Sequence, residues 1–425
     1  MTYFERGGAN DRLSNEDLRD GLYTALGRLG ARRRVAAVPP DMSRYHSRAG
    51  FLTGKIYEYY GDSLGLVLPA IGTHTPLTDA QKAAMYPEVP KELFAVHSWR
   101  NDLATLGTVP ESVIEELSEG ALRFPWPAQM NRRLVEDEYD LILSVGQVVP
   151  HEVIGMANYN KNLFIGTGGR DGINKSHYLS AVYGMERIMG RADTPVRRLL
   201  NYAEEQFARE LPIVYVLTVI AMEEDGSLAT KGLFIGDDSD CFRKAAALSA
   251  EVNVTLLDSP VNKVVAYLDP SEFKSTWIGN KSVYRTRMAI ADGGELVVLA
   301  PGVGEFGEDE GNDRIIRKYG YVNTEEVLRL VKENEDLQQS LGAAAHLIHG
   351  ATEGRFRVTY CPGHLSREEI ESVGYEYADP TEMQKRYDPA VLSEGLNTMP
   401  DGEVIYFTSN PALGLWAARE QFRQD

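Results

Sequence analysis

Two histidines stand where an apolar run gives way to a small turn, in the contexts Ile71-Gly72-Thr73-His74 and Val148-Val149-Pro150-His151. Imidazole titrates near neutrality, so two such rings facing one another across a crevice can serve as an acid and base pair of opposite assignment. Spacing alone leaves a second reading open, in which either ring caps its loop. The densest segment runs from Pro150 to Gly190 and includes Asn158-Tyr159-Asn160-Lys161, Ile165-Gly166-Thr167-Gly168-Gly169 and Lys175-Ser176-His177. Its glycines allow a backbone to approach a phosphate or a ring closely. Gly-Thr-Gly-Gly, however, matches neither a Walker nor a Rossmann fingerprint, and a lysine such as Lys161 is ordinarily a solvated surface residue. His346 and His349 lie three apart in a helical stretch and could share a zinc ion, but no carboxylate completes a His-Glu-x-x-His pattern; they read as structural.

These residues need a scaffold, and the apolar pattern predicts one. In the first 150 residues short apolar runs alternate with helical patterns, the signature of strands and crossover helices in a mostly parallel sheet. Val35 to Val38 runs into Pro39-Pro40-Asp41, Leu64 to Ile71 into Gly72-Thr73-His74, and Tyr139 to Val145 into Gly146-Gln147. Ligands of open α/β sheets bind outside the carboxyl ends of the strands, so Asp41 to Arg44, His74 and His151 are expected to converge there. An amphipathic helix is predicted over Thr194 to Glu210, with Leu199, Ala203 and Phe207 inward and Arg197, Arg198, Glu204 and Glu205 away from that stripe. A strand at Ile213 to Met222, a Glu223-Glu224-Asp225-Gly226 turn and a helix around Asp240 to Ala250 follow. Strands at 254–257 and 261–268, a helix through Lys281 to Ala289, the turn Asp292-Gly293-Gly294 and a strand from Leu296 to Ala300 form a second strand-helix-strand unit. The expected architecture is therefore two α/β domains with mostly parallel sheets and an active-site cleft between them. The first spans 1–255, with a C-terminal helix at 411–425 that can join it, and the second spans 256–410.

The chain has 425 residues, with 44 Lys plus Arg against 62 Asp plus Glu, a formal charge of −18. That balance argues against a nucleic-acid partner, whose affinity rests on cations neutralising phosphates. Cys241 and Cys361 are the only cysteines, too few for a disulfide framework or a Cys-rich zinc site. Apolar stretches such as Leu211 to Met222 fall short of the ~20 residues that span a bilayer, and Met1 to Asn10 carries no apolar leader. The expectation is a cytoplasmic protein without nucleic-acid or membrane partners.

Taken together, the motifs resemble the nickel-pincer-nucleotide lactate racemase family. There a Pro-His motif is followed ten residues later by a lysine and sixteen residues after that by a histidine; here His151, Lys161 and His177 have that spacing. Asp41-Met42-Ser43-Arg44 is similar to the family's Asp-x-x-Arg motif, Gly72-Thr73-His74 to its Gly-Thr-His motif, and Lys281, twelve residues before Gly293, to its second-domain lysine.

The resemblance implies a racemase or 2-epimerase of a 2-hydroxy carboxylic acid. Lys161 would tether a pyridinium thioamide nucleotide that holds nickel, and His177 would be the metal ligand. Asp41, Gly155, Gly168 and Gly169 would line the cofactor. His74 and His151 would exchange the hydroxyl proton while hydride visits the cofactor, and Arg44, Lys281 and Trp277 would hold the substrate. The enzymes that build the cofactor would be partners. Where lactate enzymes typically carry a Phe-Ser-Gly-Gly stretch, this chain has Met156-Ala157-Asn158-Tyr159-Asn160, and Ile278 replaces a usual glutamine. The extra polarity makes a polyhydroxylated acid, an aldonate such as gluconate, an alternative substrate. Two rivals from other classes are a hydrolase with zinc on His74, His151 and His177, and a non-catalytic carboxylate-binding module using Arg44 and Lys281.

Overall fold

A computed structural model describes residues 1–223, 226–412 and 414–422. They form an α/β protein divided into two units. The first comprises residues 1–176 and 189–253; the second comprises 177–188 and 254–425.

The first unit is built on a six-stranded sheet in the order Thr2–Gly7, Leu228–Gly236, Ile213–Met222, Leu141–Gln147, Val35–Val38, Leu64–Val67. The last four run parallel to one another, and Leu228–Gly236 is antiparallel to both of its neighbours, Ile213–Met222 and Thr2–Gly7. Val35–Val38 is wholly buried, as expected of a strand covered on both faces. Helix Asn15–Leu29 opens with a Ser14/Asp17 capping box and packs Leu18, Leu22, Ala25 and Leu26 into the core beside Val35 and Leu143. The chain leaves Val35–Val38 to form Leu64–Val67 on one side, then returns to place Leu141–Gln147 on the other. This reversal is a topological switch point, and the crevice it opens lies at the carboxyl ends of these strands.

The second unit carries a six-stranded sheet in the order Glu376–Tyr377, Arg357–Pro362, Ile290–Ala300, Val261–Tyr267, Val404–Thr408, Gly395–Thr398, parallel except for the last strand. Val265, Val297, Leu299, Cys361, Ile405 and Phe407 form a core cluster with Tyr387. No helix among the described residues is long and apolar enough to cross a membrane.

Several elements differ from the sequence expectation. The tail is not a helix: Leu415–Ala418 is a buried strand paired in parallel with Val254–Leu257, and residues 413 and 423–425 lie outside the description. Four consecutive buried apolar residues satisfy a small sheet, whereas a helix would have left half of them exposed. Asp292-Gly293-Gly294 does not end an element but sits inside Ile290–Ala300 as a bulge, where Val261 pairs Ile290 and Lys263 already pairs Glu295. Gly293 takes a φ of 77°, so glycine permits the turn that accommodates the three extra residues. The helix predicted at 194–210 is α-helical over Pro195–Ala203 and then widens into a π-turn at Glu204–Ala208. Its Arg197, expected away from the apolar stripe, is 2% exposed. The strand predicted at 64–71 ends at Val67, and the helix predicted to Ala289 ends at Thr286. Of the turn at 223–226, residues 224 and 225 are outside the description.

Candidate active site

Three adjacent parallel strands deliver the predicted residues to one end of the first sheet. Val35–Val38 leads to Asp41 and Arg44, Leu64–Val67 to His74, and Leu141–Gln147 to His151. The two histidine-bearing strands are second neighbours, a separation of roughly 10 Å at sheet spacing. Beyond the strands, Leu68 and Ala70 donate backbone hydrogen bonds to Ala37 and Pro39 at 2.9 and 2.7 Å, so the two chains stay in register into the loops.

Asp41 caps the short 3₁₀-helix Met42–Ser47 by accepting from the Ser43 backbone, and it also takes the Ser43 hydroxyl. Its other oxygen lies 2.6 Å from His74 Nδ1. Burial pushes the Asp41 carboxyl upward, but the His74 bond and the Ser43 donors outweigh it and leave the group below its usual range. His74 sits on a turn closed by its own N–H to the Ile71 carbonyl at 2.9 Å, with Gly72 at a φ of 56°. Side-chain exposure of 64% leaves the His74 ring open to solvent.

His151 is 8% exposed and lies in the two-residue ladder of Pro150–His151 with Gly155–Met156. Gly155 turns this hairpin at a φ of 82°. His151 Nδ1 accepts the Val153 N–H at 3.0 Å, and Glu152 Oε2 stands 3.7 Å from the same nitrogen.

Lys161 lies in the short helix Asn160–Phe164. The next residue, Asn162, hydrogen-bonds the Val38 carbonyl at 2.8 Å and Ser144 at 3.3 Å, which ties this helix to the end of the sheet. Two consecutive non-glycine residues with positive φ, Asn158 at 66° and Tyr159 at 59°, lead into it. Such a backbone costs of order 1–3 kcal/mol per residue and persists only when its surroundings impose it. Here Arg197 imposes it, donating to the Met156 and Asn158 carbonyls at 2.8 and 3.1 Å and to the Asn160 side chain. Asn160 in turn reaches Asn201 and Glu204, and Tyr159 stacks on Phe242 with centroids 5.0 Å apart. Burial, reinforced by the Arg44 charge, pulls the Lys161 amine down to about 8, with Glu152 and Asp41 opposing.

Gly168 and Gly169 have internal reasons to be glycine. A Cβ at Gly168 would lie 1.9 Å from the Phe164 carbonyl, and one at Gly169 would lie 2.4 Å from the Gln129 side chain. Buried His97 holds the Gly168 carbonyl at 3.0 Å and receives Asn131 on its other nitrogen at 3.1 Å. Burial lowers its pKa, so it serves as a neutral brace.

His177 lies in the helix Arg170–Tyr183, whose residues up to Ser176 belong to the first unit and whose remainder belongs to the second. Trp277 and Lys281 are in the second unit, at the short helices Thr276–Gly279 and Lys281–Thr286. Trp277 stacks on His346 with centroids 4.2 Å apart, and His346 Nε2 meets the Tyr321 hydroxyl at 3.3 Å. His346 and His349 are both buried, and burial, with the neighbouring His349, drives His346 down to about 3. Their place is in an aromatic cluster, in keeping with the structural reading.

Glu152 and Arg197 do not stand out as site residues in the sequence. Arg197 reads there as one more charge on a polar helix face. Glu152 carries a signal of its own, because a carboxylate beside a candidate catalytic imidazole is a natural partner for it.

The class that the structure defines is a mixed, parallel-rich α/β fold, with two histidines, an arginine and a lysine near the strand ends at its switch point. Residues 26–188 match the family model for the lactate racemase N-terminal domain. A crystal structure of a Thermotoga maritima protein superposes with a TM-score of 0.81 at 23% identity, covering 97% of this chain and all of that one. The lactate racemase apoprotein from Thermoanaerobacterium thermosaccharolyticum superposes with a TM-score of 0.70 at 17% identity, covering 97% of this chain and 94% of that one. No curated protein matches the chain. Residues 26–188 are thus similar to the lactate racemase N-terminal domain, and the chain as a whole shares the fold of these two structures.

Proposed function

We propose that the protein is a racemase or 2-epimerase of a 2-hydroxy carboxylic acid, working with a nickel-pincer nucleotide tethered to Lys161 and made by separate cofactor-synthesis enzymes. The observation that carries this reading is the set of Asp41, Arg44, His74 and His151 at three adjacent strand ends inside the segment that matches the racemase domain. Lys161 suits the tether. The fold disfavours its positive charge, and amide-type attachment removes that charge. His177 would be the single protein ligand to nickel, an imidazole that completes a soft, sulfur-rich set. Among the described residues no group of three or more His, Cys, Asp or Glu is placed to hold a metal ion, which weighs against a zinc hydrolase with protein ligands alone.

The bound nucleotide would supply the hydride acceptor. The chain's own residues do the rest. His74, its Nδ1–H held by Asp41, presents Nε2 as the acceptor for the hydroxyl proton, and His151 attends to the oxygen from the other side. The Arg44 guanidinium suits a planar carboxylate by two parallel bonds. Lys281 and Trp277 are proposed as further substrate contacts.

The test is intact mass and metal content of chain made together with the cofactor-synthesis enzymes, followed by assays on enantiopure lactate, malate and gluconate. A covalent increment at Lys161 with one nickel, and inversion at C2 of one of these acids, is the expected result. An active enzyme with unmodified Lys161 would overturn the tether. Selective turnover of gluconate would decide for the aldonate reading.

A further inference from the structure

The two histidines are held in opposite ways, and this has a consequence for the proton. In inversion one ring takes the hydroxyl proton and the other returns a proton to the product oxygen, so the pair must enter turnover sharing one proton between their substrate-facing nitrogens. His74 is ready to accept, since its Nδ1–H points at the Asp41 carboxylate and leaves the Nε2 lone pair open. His151 is not ready to donate. Its Nδ1 accepts the Val153 N–H, so the neutral ring carries its proton on Nε2, and giving that proton away would leave an imidazolate. Before it can donate, His151 must gain a proton at Nδ1. That breaks the Val153 bond and requires an acceptor at Nδ1. The Glu152 carboxylate is 3.7 Å away, about 1 Å beyond a charge-assisted hydrogen bond.

We propose that Glu152 is the positioning carboxylate of His151, as Asp41 is of His74, and that the ring alternates between accepting from Val153 N–H and donating to Glu152. In the donating state Nδ1–H bonds Glu152 and the Nε2 proton passes to the substrate oxygen, leaving a neutral Nδ1–H ring; the reverse reaction returns the proton to Nε2. Glu152 acts on Lys161 together with Arg44, Asp41 and Arg197, so these charges share this end of the sheet. The inference rests on the proposed acid and base roles, but it is tested without the cofactor.

Imidazole nitrogen NMR on full-length chain from a host that does not make the cofactor, with rings assigned through H74Q and H151Q, reads each tautomer directly. Neutral His74 is expected as Nδ1–H and neutral His151 as Nε2–H. In E152Q the His151 ring is expected to protonate about one pH unit lower, as for loss of an adjacent carboxylate. A neutral His151 found as Nδ1–H, or a His151 titration unchanged by E152Q, overturns the proposal. Because the wild-type tautomer is read first, the outcome does not depend on how well a variant folds. Neither result depends on whether the loaded chain inverts any 2-hydroxy acid.

Discussion

Lys161 carries an amine whose charge its surroundings oppose, and this can be measured. With a pKa brought down to about 8 by burial and Arg44, the ammonium form dominates below that pH and the neutral amine above it. Labelling of Lys161 by an amine-selective acylating reagent, followed by peptide mass spectrometry, should therefore rise through a midpoint near 8, while exposed lysines rise near their ordinary ~10.4. R44M should move the midpoint upward, because a repelling cation is gone. E152Q should move it downward, because a favourable anion is gone. A midpoint that stays with the surface lysines would show that the amine is solvated. The identities of Lys161, His74 and His151 are legible in the sequence as motif positions. That Asp41 pairs with His74, and that Arg197 locks Asn158 and Tyr159 in a left-handed turn, is not, because each depends on residues far apart in the chain.

The elements vary in how openly they announce themselves. Val35–Val38 and Ile213–Met222 are nearly continuous apolar runs and can be read at their observed bounds. The helix Leu341–Gly350 is visible too, but its burial on nearly every face is not. That burial makes a stability prediction. His346 has a folded-state pKa of about 3 against an unfolded value near 6.5, so the unfolded chain binds the extra proton between these limits. Stability from this residue is fully present above the unfolded value and is lost as pH falls towards 3, with about 3 kcal/mol gone by pH 4. Comparing denaturant unfolding of wild type and H346Q at pH ~7 and pH ~4 isolates this part. The wild type should lose distinctly more than the variant on acidification, and equal losses would mean that the ring is hydrated.

For the whole molecule, the decisive element is the last one. Leu415–Ala418 pairs with Val254–Leu257, Ala418 donates to the Met288 carbonyl at 2.7 Å, and Arg285 donates to the Gly414 carbonyl at 3.0 Å. Ending the chain after Asn410 removes the buried Leu415 and Trp416, worth about 4 kcal/mol or more by burial alone, together with these backbone bonds. The expected outcome is a lower thermal midpoint for the second unit and earlier proteolysis there; an unchanged melting profile would mean the strand contributes nothing. The amino-acid sequence by itself determined the α/β class, the strand ends that carry the candidate residues and the spacing of His151, Lys161 and His177, since periodicity and turn residues are local properties. The tertiary structure alone decided that Asp41 meets His74, that His151 is held by Val153 N–H beside Glu152, that Asp292 to Gly294 is a bulge and that the tail is a strand. Each of these depends on which distant backbone or side chain supplies the partner, and only a folded chain brings those partners within hydrogen-bonding range.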